Sequence, residues 1–162
     1  MQKFDVLIVG GGMVGLTLAL AIRKQSELTV AVADTQELSE LTEQPEIRVS
    51  AINAASQQIF TRLGVWDDII SQRSRAYHHM HIWDKAGYGK LDFNVDDVSG
   101  SSKPEQLGWI IENKVIRNSL WQKAQADEGI SFFTREAIAS IGVGESEVFA
   151  SFGSMMPITA KL

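Results

Sequence analysis

The chain contains no cysteine, which excludes disulfides and thiolate chemistry together. It also lacks an excess of positive charge. The 15 Lys and Arg are outnumbered by 20 Asp and Glu, leaving a net charge of −5. With no basic stripe to offset phosphate repulsion, the charge argues against nucleic acid as a partner. No stretch reaches the roughly 18 apolar residues that a membrane span needs. The N-terminus has no basic lead followed by a cleavable apolar segment. Ser50, Ser56 and Ser71 have no G-x-S-x-G elbow around them, which argues against a serine hydrolase. No repeat or low-complexity tract interrupts the 162 residues, and an apolar share of 44% is enough for the core of one domain, or of one domain and part of another. A soluble cytoplasmic protein is the expectation.

What is present is concentrated near the start. Phe4 to Val9 is an apolar run of strand length, and Gly10, Gly12 and Gly15 follow with G-x-G-x-x-G spacing. Met13 to about Lys24 reads as an amphipathic helix. A strand, a glycine turn and a helix N-terminus in that order form a site for a dinucleotide pyrophosphate. In this reading Gly10 permits the tight turn, Gly12 lets the backbone approach the phosphates, and Gly15 lets helix and strand pack closely. The helix N–H groups then face the anion. Leu28 to Ala33 reads as a second buried strand that ends directly in Asp34. A carboxylate at that distance accepts hydrogen bonds from an adenosine ribose, and an acid there disfavours a 2′-phosphate.

Further along, Thr35 to Glu46 reads as a polar surface loop and Arg48 to Ile52 as a short extended segment. Asn53 is placed to cap a helix through Leu63 that Gly64 stops, and Val65 to Ile70 begins another short helix. Met80 to Asp84 and Lys90 to Phe93 read as strands joined by a turn with Gly87 and Gly89. They lie in a β-rich stretch over about 75–106. Asn94 to Lys103 reads as a mobile loop and Leu107 to Ile111 as a strand. Asn113 to Asp127 reads as a helix burying Val115, Ile116, Leu120 and Trp121. Short strands and turns follow from Ile130, the last at Ile158 to Leu162. The order of elements favours a three-layer α/β nucleotide domain with an adjoining antiparallel sheet.

Other candidates compete with plainer roles. His78, His79 and His81 have Asp84 as the only near acid, so an exposed turn entering a strand is expected rather than a metal site. The Asp67-Asp68 and Asp96-Asp97 pairs read as solvated charges, and the four tryptophans as core or interface residues. Arg48 follows the second strand, where a guanidinium either pairs with the pyrophosphate or forms a surface ion pair.

Three segments together resemble a known family: Gly10-Gly-Gly-Met-Val-Gly, Arg48-Val-Ser-Ala-Ile-Asn-Ala-Ala-Ser and Leu63-Gly-Val-Trp-Asp. They are similar to the ubiquinone-biosynthesis hydroxylases, FAD-dependent aromatic hydroxylases related to p-hydroxybenzoate hydroxylase. Tyr77-His-His-Met-His-Ile-Trp-Asp-Lys and Ile111-Glu-Asn-Lys-Val-Ile bring it nearest the 2-octaprenylphenol hydroxylase branch. The resemblance implies a Rossmann-like FAD-binding fold of the glutathione-reductase type. It implies that Gly10, Gly11, Gly12, Met13, Val14 and Gly15 hold the FAD pyrophosphate. Asp34, where the family usually has glutamate, would bind the ribose. Arg48 would reach the diphosphate and ribityl region, and Glu112 would touch the ribityl chain. It also implies NAD(P)H as reductant, O2 as co-substrate and a polyprenylated phenol as substrate. Other ubiquinone-biosynthesis proteins would be partners, with at most peripheral attachment to the inner membrane. No catalytic side chain is assigned.

The family's second flavin motif, Asp-Gly after a strand, and its later Gly-Asp motif do not occur in these 162 residues. The sequence is therefore expected to be the N-terminal portion of the FAD-binding domain, inactive alone, weak for FAD and prone to self-association through an uncovered sheet edge. Two alternatives stay open. An NAD-dependent dehydrogenase shares the glycine fingerprint, although no catalytic His, Tyr-x-x-x-Lys or Cys arrangement is visible. A non-catalytic nucleotide-binding module needs the same loop and nothing more.

Overall fold

In the computed structural model, which describes residues 1–98 and 104–162, the first apolar run is two strands rather than one. Asp5 separates β1 (Gln2–Phe4) from β2 (Val6–Val9). Then come α1 (Met13–Gln25), β3 (Val30–Ala33), β4 (Val49–Asn53), α2 (Ala54–Leu63) and α3 (Trp66–Ile70). β5 (Ser74–Tyr77), β6 (His79–Trp83), β7 (Lys90–Asn94), a 3-10 turn (Val95–Asp97), β8 (Gly108–Glu112) and α4 (Asn113–Gln125) follow. The chain closes with β9 (Ile130–Phe133), β10 (Ile138–Val143), β11 (Val148–Phe152) and β12 (Ile158–Ala160). It divides into two compact units, Met1–Thr42 with Ile116–Leu162, and Glu43–Val115.

The first unit is built on a parallel sheet in the order β2-β3-β9. Its central strand, Val30-Ala-Val-Ala, is buried along its whole length. That explains why it reads as an unbroken apolar run rather than an alternating one. Register places Ile8 beside Val32 and Val32 beside Phe132. This face is covered by α1, whose Gly15 lies against Ile8, and by α4, whose Trp121 stacks on Phe132 at 4.4 Å between ring centroids. On the opposite face Leu7, Ala31, Ala33 and Phe133 pack with Phe4, Ala150, Phe152 and Ile158. Those partners belong to a second sheet of order β1-β12-β11-β10. Helices, parallel sheet and second sheet make the expected three-layer α/β arrangement.

Asp5 is the hinge between the sheets. Its carboxylate accepts from Lys161 Nζ at 2.7 Å and from Thr29 N and Oγ1, both at 2.9 Å. The Lys161 bond, followed by those from Thr29, lowers its pKa to about 2. Because the folded-state pKa is depressed, this stabilisation is complete above about pH 4 and is lost as the pH falls towards 2. Asp5→Asn is therefore expected to lower the melting temperature at neutral pH, with the gap to the parent closing on acidification. Parallel melting curves that keep a constant offset down to acid pH would contradict this.

The second unit holds an antiparallel sheet of order β4-β8-β5. Asn53 caps α2 as expected, accepting from Ser56 N at 2.9 Å, and Gly64 ends it. Trp66 of α3 packs edge-on against Trp109 of β8, ring centroids 5.9 Å apart. β6 and β7 form the expected hairpin. Part of the expected loop after it is ordered: Asn94 and Asp97 cap the 3-10 turn reciprocally. Residues 99–103 of that loop lie outside the described residues. Register puts His79, His81 and Asp92 on one face of the hairpin. Both histidines meet Asp92, His81 Nδ1 at 2.5 Å and His79 Nε2 at 3.3 Å. Their acid is thus Asp92 across the hairpin, not Asp84. The His81 bond, then the weaker one from His79, holds the Asp92 carboxyl below its ordinary range. Among the described residues no helix is long and apolar enough to cross a membrane.

Candidate functional site

The glycine loop takes the form that its spacing implies. Gly10 leaves β2 with φ +113°, a conformation that side-chain-bearing residues rarely adopt. Its N–H is anchored to Ala33 O at the end of β3, 2.8 Å away. Gly12 is the N-cap of α1, with extended backbone and no side-chain cap. A Cβ there would meet nothing within 4 Å, whereas one at Gly15 would lie 2.0 Å from Gly10 O. The outer side of the loop is therefore open and the inner side is packed backbone on backbone.

Three donors face that opening. Leu16 N–H, bonded to Gly12 O at 3.0 Å, makes the first bond of the helix. The N–H groups of Met13, Val14 and Gly15 accordingly have no acceptor among the described residues. Val14, with 82% of its surface exposed, does not cover them. With the positive end of the helix dipole behind them, these amides suit an anion.

Asp34 closes β3 beside this loop, its side chain 17% exposed. Oδ2 accepts from Gly11 N–H at 2.6 Å and Oδ1 from Gln36 N–H at 2.8 Å. A carboxylate has about four lone-pair sites, so acceptor capacity remains for ribose hydroxyls after both bonds are made. The residues present thus fit an adenosine diphosphate group: open donors for phosphate, with a fixed carboxylate next to them.

Arg48 and Glu112 belong to the second unit, where β4 and β8 bring them together. Asn113 N–H donates to Arg48 O at 2.9 Å, and Val49 pairs with Glu112. The Arg48 side chain is exposed, with no hydrogen bond or ion pair among the described residues. Glu112 has protein partners of its own. Its side chain is only 6% exposed and is gripped by Arg73, Nε to Oε1 at 2.8 Å and Nη2 to Oε2 at 3.1 Å. Oε2 also accepts from Glu46 N–H at 3.0 Å. Its carboxylate is committed to holding the segment that leads into Arg48.

Sequence reasoning missed Arg73 and Arg117. The latter, on α4, donates to Gly11 O, Glu37 O and Gln36 O at 2.9, 2.9 and 3.0 Å. Its guanidinium also lies over the Trp121 ring, 4.6 Å from the centroid. Arg117 and Trp121, four apart on a predicted helix, were the one local sign of this cluster. The Glu37 carboxylate accepts from Arg135 Nε at 2.8 Å and from Thr134 Oγ1 at 3.1 Å. The Arg135 bond is the main reason why this acid sits below its ordinary pKa.

Comparison with known proteins agrees with this geometry. Residues 3–153 match the family described as FAD binding domain. The mitochondrial ubiquinone biosynthesis monooxygenase COQ6 of Dictyostelium discoideum is 26% identical, over 96% of this chain and 34% of that protein. The 3-demethoxyubiquinol 3-hydroxylase of Escherichia coli K12 is 32% identical, over 77% of this chain and 31% of its own length. The crystal structure of p-nitrophenol 4-monooxygenase PnpA from Pseudomonas putida DLL-E4 shares the fold, with a TM-score of 0.72 and 20% identity over 99% of this chain and 40% of that one. This chain spans about a third of the length of the curated relatives it matches. An open amide cradle, an acid closing the next strand and a family match over nearly the whole sequence lead to one assignment: the chain belongs to the FAD binding domain family.

Proposed function

We propose that this chain provides the ADP-binding part of an FAD-dependent monooxygenase that hydroxylates a polyprenylated phenol in ubiquinone biosynthesis. The observation that carries the proposal is the set of open amides from Met13 to Gly15, with Asp34 fixed beside them. Those amides bind the diphosphate, and Asp34 accepts from the ribose hydroxyls. Arg48 is kept, on the family resemblance, as a guanidinium for the diphosphate. Glu112 is assigned to positioning Arg48 rather than to the ribityl chain. When bound, FAD supplies the redox chemistry, with NAD(P)H as reductant and O2 as co-substrate. The apolar tail of such a phenol gives reason for peripheral association at a membrane surface.

Calorimetric titration of the chain with FAD, ADP and NAD tests this reading. FAD and ADP are expected to bind. Asp34→Ala is expected to weaken ADP by about 10- to 100-fold, the worth of one or two hydrogen bonds to a charged acceptor. Binding of NAD in clear preference to FAD would favour a dehydrogenase, and no binding of any of the three would contradict the proposal.

A further inference from the structure

Arg117 lies on α4, far from the glycine loop in sequence, yet it bonds the loop's backbone directly. Its Nε donates to the carbonyl of Gly11 at 2.9 Å. That carbonyl shares a peptide unit with the N–H of Gly12. The unit is planar and trans, because the described chain contains no cis bond. In a trans peptide the C=O and the N–H point in opposite directions. Whatever fixes the Gly11 carbonyl therefore fixes the Gly12 N–H, facing the other way.

The preceding peptide is held likewise. Gly11 N–H is bound by Asp34 Oδ2 at 2.6 Å, which turns the Gly10 carbonyl away from Asp34, toward Gly15 of α1. Two successive peptide planes are thus set by two side chains, Asp34 on the donor side and Arg117 on the acceptor side. Arg117 is itself held in place. Its remaining nitrogens bind Glu37 O and Gln36 O, and its planar face lies on Trp121, which stacks on Phe132. A rigid planar fork serves three carbonyls at once, which a lysine ammonium on a flexible stem does not reproduce.

We infer that Arg117 is a positioning residue for the diphosphate cradle: by holding the Gly11 carbonyl it aims the Gly12 N–H outward, in line with the open amides of α1. This rests on reading the loop as a diphosphate site and adds to it the side chain that sets the loop's polarity. No contact between Arg117 and the ligand is required. Its influence passes through the Gly11–Gly12 peptide plane, with a longer ion pair to Asp34 at 4.0 Å beside it.

The inference separates phosphate binding from adenosine binding. R117M and R117K are made in the full 162-residue chain, and ADP and adenosine affinities are measured by calorimetry. Amide hydrogen exchange at Gly12 is followed by NMR in the free protein. Both variants are expected to lose about tenfold or more in ADP affinity, the worth of one well-aimed donor to a charged group. Adenosine affinity should fall clearly less than ADP affinity, because on the ribose side Arg117 reaches Asp34 only at 4.0 Å, Nη2 to Oδ2, and its substitution removes no direct adenosine contact. The Gly12 amide resonance and its exchange rate should change without ligand. If R117M does not fold, R117K carries the same comparison, because it keeps the charge and the stem but not the fork. Equal losses for ADP and adenosine, or an unchanged ADP affinity in a folded variant, would overturn the inference and leave the parent reading standing. Failure of the unsubstituted chain to bind ADP at all would overturn both.

Discussion

Gly15→Ala is expected to destabilise the chain by about 3 kcal/mol, the upper part of the range for overpacked positions. The added methyl would lie 2.0 Å from the carbonyl oxygen of Gly10 and 3.1 Å from Ile8 Cγ2. The carbonyl belongs to a loop that cannot yield cheaply. Gly10 N–H is anchored on Ala33 O, and Gly11 is held by Asp34 and Arg117. Helix α1 must therefore shift off the sheet, loosening the Ile8 and Val32 face. For a chain of this size the loss corresponds to a drop of about 6–12 °C in melting temperature. Gly12→Ala is the control. Its φ of −82° suits any residue, and its Cβ would meet nothing within 4 Å. Stability should fall by no more than about 1 kcal/mol, since alanine is a poorer N-cap than glycine, while the methyl obstructs the approach of phosphate. Denaturant unfolding of the two variants checks the contrast. Equal stabilities would mean that the close approach at Gly15 is not a constraint on the fold.

Arg73→Ala in the second unit should cost about 2–4 kcal/mol, because it strips a buried carboxylate of its cation. Glu112 is nearly inaccessible and makes a two-point contact with Arg73. Without the guanidinium, the hydrogen bond that remains to it among the described residues is from the Glu46 N–H at 3.0 Å. The double variant Arg73→Met with Glu112→Leu should be less damaged than Arg73→Ala, since no charge is left buried. Urea unfolding of the single and double variants measures this directly. A double variant at least as unstable as the single one would show that the pair is not the source of the effect. The segment from Glu43 to Arg48 depends on the same contact, through Arg73 Nη1 to Glu43 O at 2.9 Å and the Glu46 N–H bond. Amide protection there should fall with the single substitution.

How much of this was legible in sequence depends on how local each determinant is. The strand, glycine turn, helix and second strand with its terminal acid lie within 34 consecutive residues, and each is set by neighbours. Asn53 and Gly64 bracket α2 for the same reason. Determinants that act across the chain were not legible. Phe4 to Val9 reads as one strand, yet it splits because β1 pairs in parallel with β12, whose partners lie more than 150 positions away. β5, Ser-Arg-Ala-Tyr, has little apolar alternation, and it is a strand because β8 supplies an edge. Asp34 was read as a ribose ligand from its position, but the bond it makes to Gly11 needs a turn whose shape spacing alone does not give. The contact between Glu112 and Arg73 was not legible because the two lie 39 positions apart and meet only in the folded unit. Arg117 stayed hidden because it binds main-chain carbonyls, which carry no signature in side-chain patterns.

The amides at the start of α1 are the groups that receive an adenine nucleotide's phosphates. The most direct check is an NMR titration of the isotope-labelled chain with ADP, followed at the backbone amides. Saturable shifts should be largest at Gly12, Met13, Val14 and Gly15, with a smaller response at Asp34 and Gln36. Adenosine alone should move Asp34 but leave the Met13 to Gly15 amides nearly still. Shifts centred on the His79–Asn94 hairpin, or an unperturbed glycine loop at saturating ADP, would contradict it.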